Sequence, residues 1–327
     1  MSSSAASPSQ ASVAVQFALT GIIWGSSFLF MKVALTGIAP AQVAWGRLVL
    51  GALTLGVFVV LRRERLPRTL TLWLHLAVVG VVFCVLPFLL FSWAQQYVTS
   101  GLASIYNAVT PIMTAVMAWA VFRVERLKAV QIAGIALGAL GVVVIVGPWQ
   151  GLDLDQSLLA QGAILAATAC YGFGLAYMRR FLSNSGLSPL SFAFSYIALA
   201  AAVMVLLTPF IAVGPIRWDP WVVGSMVLLG CLGTGVAYIW NQNALRAWGP
   251  TRASTVTYIT PVVGVVLGMV VLGEPLAWNE PLGAVVVFLG ILLAQDRLRR
   301  RRPSPAFAPS GTAAPGYDEG RTPRRSR

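Results

Sequence analysis

The sequence predicts an all-α polytopic membrane protein, with ten transmembrane helices arranged as two inverted five-helix repeats. Three observations lead to this fold class: an apolar composition, an alternation of basic and acidic connections, and a motif that occurs twice. Of the 327 residues, 57% are hydrophobic and only 10% are charged, and the mean hydropathy is +0.79. Because soluble domains carry about 25% charged residues, lipid must surround most of this chain.

Ten apolar runs are long enough to cross a bilayer, which takes about 20 residues of helix. They cover residues 13–35, 42–61, 72–96, 102–122, 128–147, 157–178, 190–212, 221–243, 253–273 and 279–296. The preceding tail, 1–12, lacks the basic region and cleavage site of a signal peptide. The tail 297–327 is basic and rich in Pro, Ser and Gly, which predicts disorder.

The charges alternate between successive connections. Basic residues cluster at 62–68, 123–128, 179–180, 246–252 and 297–327, which together hold 20 of the 23 Lys and Arg. The other connections carry Asp153, Asp155, Asp219, Glu274 and Glu280. Since basic loops stay cytoplasmic, both termini are predicted to be cytoplasmic, in an inner or plasma membrane. The net charge of +13 therefore reflects membrane topology and does not indicate nucleic-acid binding.

The chain nearly repeats itself. "ASIYNAVTPIM" (103–113) is echoed by "ASTVTYITPVV" (253–263) at an offset of 150, and "WGSSFLFMK" (24–32) by "YGFGLAYMR" (171–179) at an offset of 147. "VERL" (124–127) and "GEPL" (273–276) follow in the same order. Two repeats are therefore predicted, 13–147 and 157–296. Five spans is an odd number, so the second repeat enters the membrane from the opposite side, as in many secondary transporters.

Each copy of the motif contains a proline inside an apolar run. Pro111 and Pro261 cannot donate to the carbonyls of Asn107 and Thr257, so a freed acceptor and a polar side chain coincide in each repeat. Such groups are tolerated in hydrocarbon only when they are buried in protein or line a wet cavity. One interpretation is a helix-bending element of a substrate path. The alternative, a packing kink satisfied by a threonine hydroxyl, stays open.

Under that alternative, Thr110 and Thr260 are expected to serve nearby backbone groups other than the two freed carbonyls themselves.

Ionisable residues inside spans default to functional candidates because they are costly there. Arg47, about two turns into the second run, is predicted to attract an anionic group or to gate the outer side; a structural bond to helix carbonyls is the alternative. Lys32 could add positive potential to an outer vestibule, or could simply extend to the interface.

The predicted substrate path collects the polar and aromatic residues at membrane depth. Its members are Trp24, Arg47, Gln96, Tyr106, Asn107, Tyr171, Tyr238, Asn241, Thr257 and Tyr258, with Pro111 and Pro261 as the helix-bending residues. No acidic residue lies well inside a run, and no phosphate-binding glycine loop occurs, so ATP drive within this chain is not predicted. Cys84, Cys170 and Cys231 lack ligand spacing, so neither a metal nor another cofactor is expected.

Glycine pairs such as Gly134–Gly138 and Gly264–Gly268 are predicted to serve close helix packing. The fifth and tenth runs, nearly free of polar residues, suit scaffold contacts or a homodimer better than a substrate path. A membrane enzyme should cluster acids, histidines or metal ligands at one face, and the sequence shows no such cluster. A polytopic enzyme or a structural subunit is therefore kept only as the alternative of another class.

These motifs resemble the EamA family of the drug/metabolite transporter superfamily. The resemblance rests on "WGSSFLFMK", the Pro40…Arg47 pair, "ASIYNAVTP", "ASTVTYITP" and "GEPLAWNEPLGAVVVFLGILL", over about residues 14–296. It implies ten helices in inverted repeats and secondary transport of small polar metabolites in the bilayer, often export of amino acids or related compounds. Sugar-phosphate or nucleotide-sugar transport, as in other branches of the superfamily, is the alternative. The second repeat departs from the first, because Ser195 and Tyr196 stand where a counterpart of Arg47 would fall.

Overall fold

The computed structural model describes residues 10–124, 126–150, 156–211, 214–253 and 256–295. Within these ranges helix is the regular secondary structure and no strand occurs. Most of the N-terminal tail, the C-terminal tail and the acidic residues Asp153 and Asp155 lie outside the described residues.

Eight helices in the described part of the chain are long and apolar enough to cross a membrane. They are α1 (Gln10–Ala34), α2 (Pro40–Leu61), α3 (Leu70–Ala94), α4 (Ser100–Ala120), α5 (Ala129–Val146), α6 (Gln156–Leu182), α7 (Pro189–Ile211) and α8 (Pro220–Asn241). Two shorter apolar helices follow, α9 (Val256–Leu272) and α10 (Asn279–Ala294). Helix α8 continues beyond Asn241, because the segment Ala237–Ala253 is also helical. The prediction of an all-helical polytopic membrane protein is confirmed.

Local sequence explains where several helices begin and end. Thr99 lies just before α4, and its hydroxyl accepts from the backbone N–H of Leu102 at 3.0 Å, as a capping residue does. Asp219 caps α8 in the same way, accepting from the N–H of Trp221 at 2.7 Å. Gly273 follows α9 with a φ of 64°, a left-handed conformation that glycine adopts without strain. This turn places Glu274 beside α4.

Helices α5 and α10 form a close pair through their glycines. A Cβ atom on Gly141 would come 2.6 Å from Val287 N, and one on Gly290 would come 2.5 Å from Gly138 N. The small residues predicted to serve packing therefore do so within the chain, backbone against backbone. A homodimer stays a prediction, and it would use other faces of these two helices.

Helix α9 packs against both α1 and α4. A Cβ atom on Gly25 of α1 would lie 2.8 Å from the carbonyl oxygen of Thr260. On the other side, the hydroxyl of Ser104 in α4 donates to the carbonyl oxygen of Pro261 at 3.4 Å. The two proline motifs of the sequence therefore lie on neighbouring helices.

The two prolines have different local effects. Helix α4 is interrupted ahead of Pro111, between Ser100–Asn107 and Thr110–Ala120. The hydroxyl of Thr110 donates to the carbonyl oxygen of Asn107 at 2.8 Å, so it satisfies the acceptor that the proline frees. The expectation that Thr110 serves other backbone groups was therefore wrong, because the interrupted turn brings this carbonyl within its reach.

In α9 the helix runs through Pro261 without a break. There the hydroxyl of Thr260 donates to the carbonyl oxygen of Val256 at 3.3 Å. That acceptor is the neighbour of the carbonyl that Pro261 frees, as the sequence predicted. The two copies of the motif thus share a sequence but differ in local backbone.

Candidate substrate site around Arg47

Small residues bring α2 and α8 close together at the level of Arg47. A Cβ atom on Gly51 would lie 2.6 Å from Thr234 Cγ2, and one on Gly230 would lie 2.5 Å from Leu50 Cβ. Any larger residue at either glycine would push the helices apart. This close approach sets the side chain of Arg47 against Thr234.

Arg47 is buried, with 9% of its surface exposed. Its Nε donates to the hydroxyl oxygen of Thr234 at 2.9 Å, and its guanidinium carbon lies 3.9 Å from the centroid of the Phe88 ring. The ring face is a favourable but neutral partner for a cation. In the described part of the chain no carboxylate pairs with Arg47, and no hydrogen bond engages its two terminal nitrogens.

Two π-helical segments flank this guanidinium. One is Gly80–Val85 in α3 and the other is Leu228–Val236 in α8. Within the second segment the hydroxyl of Thr234 donates to the carbonyl oxygen of Leu229, five residues earlier, at 3.3 Å. Its proton is therefore committed to the backbone, and its lone pairs remain free to accept from Arg47. Single π turns inside α-helices occur frequently at functional sites.

Aromatic side chains surround the site. Tyr238 packs edge to face against Trp24, with ring centroids 5.8 Å apart. Tyr171 stacks on Phe91 at 6.1 Å. The charge of Arg47 acts on both Tyr171 and Tyr238.

Trp24 closes the site against α8. Its Nε1 donates to the carbonyl oxygen of Gly233 at 3.1 Å, inside the π-helical segment. The structure thus brings together four of the residues that the sequence singled out, namely Trp24, Arg47, Tyr171 and Tyr238. They form a buried cation with an aromatic wall.

The other candidates lie apart from this cluster. The hydroxyl of Tyr106 donates to Gln161 Oε1 at 2.6 Å, and that of Tyr258 donates to Gln295 Oε1, also at 2.6 Å. Both tyrosines thus link neighbouring helices, a contact that packing alone would favour. Gln96 is exposed at the end of α3, where its amide donates to the carbonyl oxygen of Trp93 at 3.1 Å.

Three further candidates are half-buried: Asn107, Asn241 and Thr257. Among the described residues, no hydrogen bond joins Asn107 or Asn241 to the side chains around Arg47. Their place in a substrate path therefore stays a prediction.

Sequence reasoning missed Thr234 and Phe88, and it did not assign a contact to Tyr196. A signal for Thr234 is present in "GCLGTG" (230–235), where three glycines and a threonine fall within six residues of an apolar run. Phe88 follows Pro87 in a run of ordinary apolar residues, which gives no comparable signal. Tyr196 lies near the position where an arginine counterpart was sought, and its buried ring packs edge to face against Phe83.

A small cavity, with room for about one water molecule, lies where α2 ends and α7 begins. Arg62, Glu64 and Asn243 contribute polar groups to its lining, and Ala193 and Tyr238 contribute to its walls. Tyr238 therefore borders both this cavity and the surroundings of Arg47. Among the described residues, no group of three or more His, Cys, Asp or Glu side chains could hold a metal ion.

The sequence profile of the EamA-like transporter family matches residues 12–147 and again residues 158–295. The chain belongs to this family. It is a multi-pass membrane protein of a class whose members are named as transporters rather than enzymes.

Individual relatives agree with this class. The chain is 27% identical over 275 residues to the "Uncharacterized inner membrane transporter YedA" of Escherichia coli, covering 83% of this chain and 87% of that protein. It is 26% identical over 298 residues to a "Probable amino-acid metabolite efflux pump" of Salmonella typhimurium, covering 87% of this chain and 95% of that protein. A solved crystal structure shares the fold, with a TM-score of 0.62 at 17% identity, over 89% of this chain and 100% of that chain.

Proposed function

We propose that this protein is a secondary, non-ATP-driven exporter of small polar metabolites, such as amino acids or related compounds, working by alternating access. The observation that carries this proposal is the buried guanidinium of Arg47, which has no carboxylate partner in the described part of the chain. A buried charge in a membrane protein is costly unless a partner compensates it. A carboxylate on the solute would be that partner, held by the two terminal nitrogens that no hydrogen bond from the described residues engages.

The proposed mechanism requires ten spans in two inverted repeats. The double match of the family profile and the internal sequence echoes support this arrangement. The π-helical segments add a further correspondence, because Gly80–Val85 shifted by 150 residues falls within Leu228–Val236. With basic connections inside, both termini are cytoplasmic. Inverted repeats let the two halves exchange conformations, which opens a central site to each side in turn.

The solute is proposed to carry a single negative charge at the site. Arg47 is the cation there, and Ser195 and Tyr196 lie near the corresponding position in the second repeat. A sugar phosphate or nucleotide sugar would bring more negative charge than one guanidinium can compensate, so that transport class is the second candidate. The name of the Salmonella typhimurium relative, an amino-acid metabolite efflux pump, supports amino-acid-like solutes and outward transport.

The remaining path residues are proposed to act at the two ends of the route. Asn107 lies seven residues into α4 and Thr257 near the start of α9, so they would contact solute on opposite sides of Arg47. Pro111 would let α4 bend where the helix is already interrupted, and Pro261 would do the same for α9 in the alternate state.

The test is mass spectrometry of the medium from cells that express the intact protein. The comparison is with Arg47→Gln, and the matched control is Arg217→Gln, which removes a charge from an exposed position before α8. A metabolite that accumulates outside with the intact protein and with Arg217→Gln, but not with Arg47→Gln at equal membrane abundance, would identify the solute class. Equal accumulation with Arg47→Gln would remove the proposed role of this arginine.

A further inference from the structure

Helices α5 and α10 begin with corresponding residues of the internal repeat. "VERL" (124–127) and "GEPL" (273–276) align at an offset of 149 residues, and the same offset aligns Gln131 with Glu280. Each of these two residues lies in the first turn of its helix. A neutral amide in the first repeat therefore corresponds to an ionisable carboxyl in the second.

The contact between the two helices keeps this correspondence. A Cβ atom on Gly134 would lie 2.7 Å from the carbonyl oxygen of Gly290, and one on Gly283 would lie 2.7 Å from the carbonyl oxygen of Gly141. The offset of 149 residues relates Gly134 to Gly283 and Gly141 to Gly290, so the pair packs in the same way from either side. The first turns of the two helices can therefore be compared directly.

Gln131 uses both ends of its amide. Its Oε1 accepts from the backbone N–H of Lys128 at 3.0 Å, which caps its own helix. Its Nε2 donates to the carbonyl oxygen of Ala294, at the end of α10, at 3.1 Å, which joins the two helices. A side chain at this position thus uses one acceptor and one donor.

Glu280 has no donor to offer while it is ionised. The carbonyl that corresponds to that of Ala294 belongs to Ile145, and the side chain of Asn279 donates to it instead, at 2.8 Å. Glu280 Oε2 is buried and has no hydrogen-bond partner among the described residues. Four buried side-chain atoms in this part of the chain share that condition, and Oε2 is the one that belongs to an ionisable group.

The ionised form of Glu280 also meets a second carboxylate. Both oxygens of Glu274 accept from the backbone N–H of Ser100 at 2.9 Å, and Oε2 accepts from the Ser100 hydroxyl at 2.7 Å. These bonds fix Glu274 in a place from which its charge acts on Glu280. Ionising Glu280 therefore brings two like charges together, which is unfavourable.

In the described helices that α10 packs against, no cation offsets this repulsion. These helices are α5 and α4. Helix α5 has no titratable side chain, and the one in α4 is Tyr106, on which the charge of Glu280 acts. The Tyr106 hydroxyl donates its proton to Gln161 Oε1 at 2.6 Å, so it does not stabilise the carboxylate as a donor. Asp153 and Asp155, which follow α5 in the sequence, lie outside the described residues.

We propose that Glu280 is a proton-binding site, which the folded protein keeps occupied near neutral pH. The start of a helix favours a negative charge. A buried charge without a donor, close to another carboxylate, destabilises the ionised form by more than the helix dipole stabilises it. A protonated carboxyl is neutral and, like the amide of Gln131, has one acceptor and one donor. The proposed orientation puts this end of α10 outside, so the site takes its proton from the exterior.

The proposal predicts that stability falls as the pH rises. The folded protein binds this proton and the solvated carboxyl of the unfolded chain releases it, so the folded state is favoured at the lower pH. The test is the thermal unfolding midpoint of the purified protein in mild detergent, at about pH 6 and about pH 8. The variant is Glu280→Gln, whose amide is neutral at both pH values and has the same acceptor and donor.

Over this range the midpoint of the parent protein should fall by at least about 3 °C more than that of Glu280→Gln. The matched control is Asp219→Asn, which removes an exposed carboxylate but keeps a capping residue before α8. It should show the pH dependence of the parent. Gln131→Glu should add a second fall at the higher pH, because it replaces the donor to Ala294 by a carboxylate oxygen.

The bound proton is also observable directly. The infrared spectrum of the parent near neutral pH should contain the C=O stretching band of a protonated carboxyl, and the spectrum of Glu280→Gln should lack it. If Glu280→Gln is not recovered from the membrane, Glu280→Met, which is also neutral, replaces it in both measurements.

Two results would overturn the proposal. One is an infrared spectrum in which the parent and the neutral variant have the same protonated-carboxyl band or none. The other is a midpoint of the parent that falls with pH no more than that of the neutral variant. Neither measurement needs a solute, so the failure of the proton site and the failure of the proposed exporter are distinguishable.

Discussion

Replacing Arg47 by methionine should cost transport without costing stability. Methionine fills the volume of the arginine stem and adapts to irregular spaces. The change removes a hydrogen bond from Nε to Thr234, about 1.5–3 kcal/mol for a charged donor. It also removes a cation–ring contact with Phe88, about 2 kcal/mol when desolvated. The same change also removes the desolvation cost of burying a guanidinium that has no carboxylate partner in the described residues. That cost is several kcal/mol, so its removal offsets the two losses.

The balance predicts that Arg47→Met is between equally stable and about 3 kcal/mol more stable than the parent protein. The assay is the midpoint of thermal unfolding in mild detergent, read as the fraction that stays monodisperse after heating. Thr234→Val supplies a coupled test, because it leaves Nε unpaired and should cost about 1–3 kcal/mol alone. In the Arg47→Met background it should cost less than about 1 kcal/mol, since the donor is gone.

A large fall in the midpoint for Arg47→Met, comparable to that of a buried Leu→Ala substitution in the same helix, would refute this reasoning. Arg47 would then be a structural residue whose charge is fully compensated by its surroundings. Its proposed contact with solute would lose its physical basis.

Three further substitutions test the packing and the local backbone. Gly290→Val should lower the free energy of unfolding by about 1–3 kcal/mol or more, because its Cβ would overlap the backbone at Gly138. At Gly162 nothing lies within 4 Å of an added Cβ. Gly162→Ala should therefore be neutral or stabilising by up to about 1 kcal/mol in the same thermal assay. Thr110→Val should cost about 1–2 kcal/mol because it leaves the carbonyl of Asn107 unpaired. If Thr110→Val has the same thermal unfolding midpoint as the parent protein, the hydrogen bond from the Thr110 hydroxyl to the Asn107 carbonyl is contradicted.

That the chain is an all-helical polytopic membrane protein followed from the sequence because lipid imposes strong rules. Apolar runs of fixed length and the alternation of basic connections depend on solvent alone, so no tertiary contact can disguise them. The packing role of Gly134 and Gly138 was also within reach, since small residues at helical spacing have few other uses in a membrane.

The site was only partly predictable. Arg47, Trp24, Tyr171 and Tyr238 were singled out because polar and aromatic groups are costly at membrane depth. These four side chains come together because of two π-helical segments, and no residue pattern predicts the backbone geometry of such segments. Thr234 was therefore not predicted as a residue of the site.

Single-residue chemistry cannot separate a solute contact from a helix-to-helix bond. Tyr106 and Tyr258 carry the same hydroxyl as Tyr171 and Tyr238, yet they bond to Gln161 and Gln295 across helix contacts. Which hydroxyls face a neighbour and which face the site is decided by helix rotation. That rotation is a property of the whole bundle.

The most direct test is efflux from reconstituted vesicles loaded with a mixture of amino acids and other carboxylate metabolites, followed by mass spectrometry. The wild-type protein and the Arg217→Gln control should release at least one carboxylate solute at equal rates. Arg47→Gln should release that solute at least about tenfold more slowly, because an unpaired carboxylate would be buried during transport. Equal release by Arg47→Gln, or release of uncharged solutes alone, would contradict the assignment of Arg47 as the site that recognises the solute.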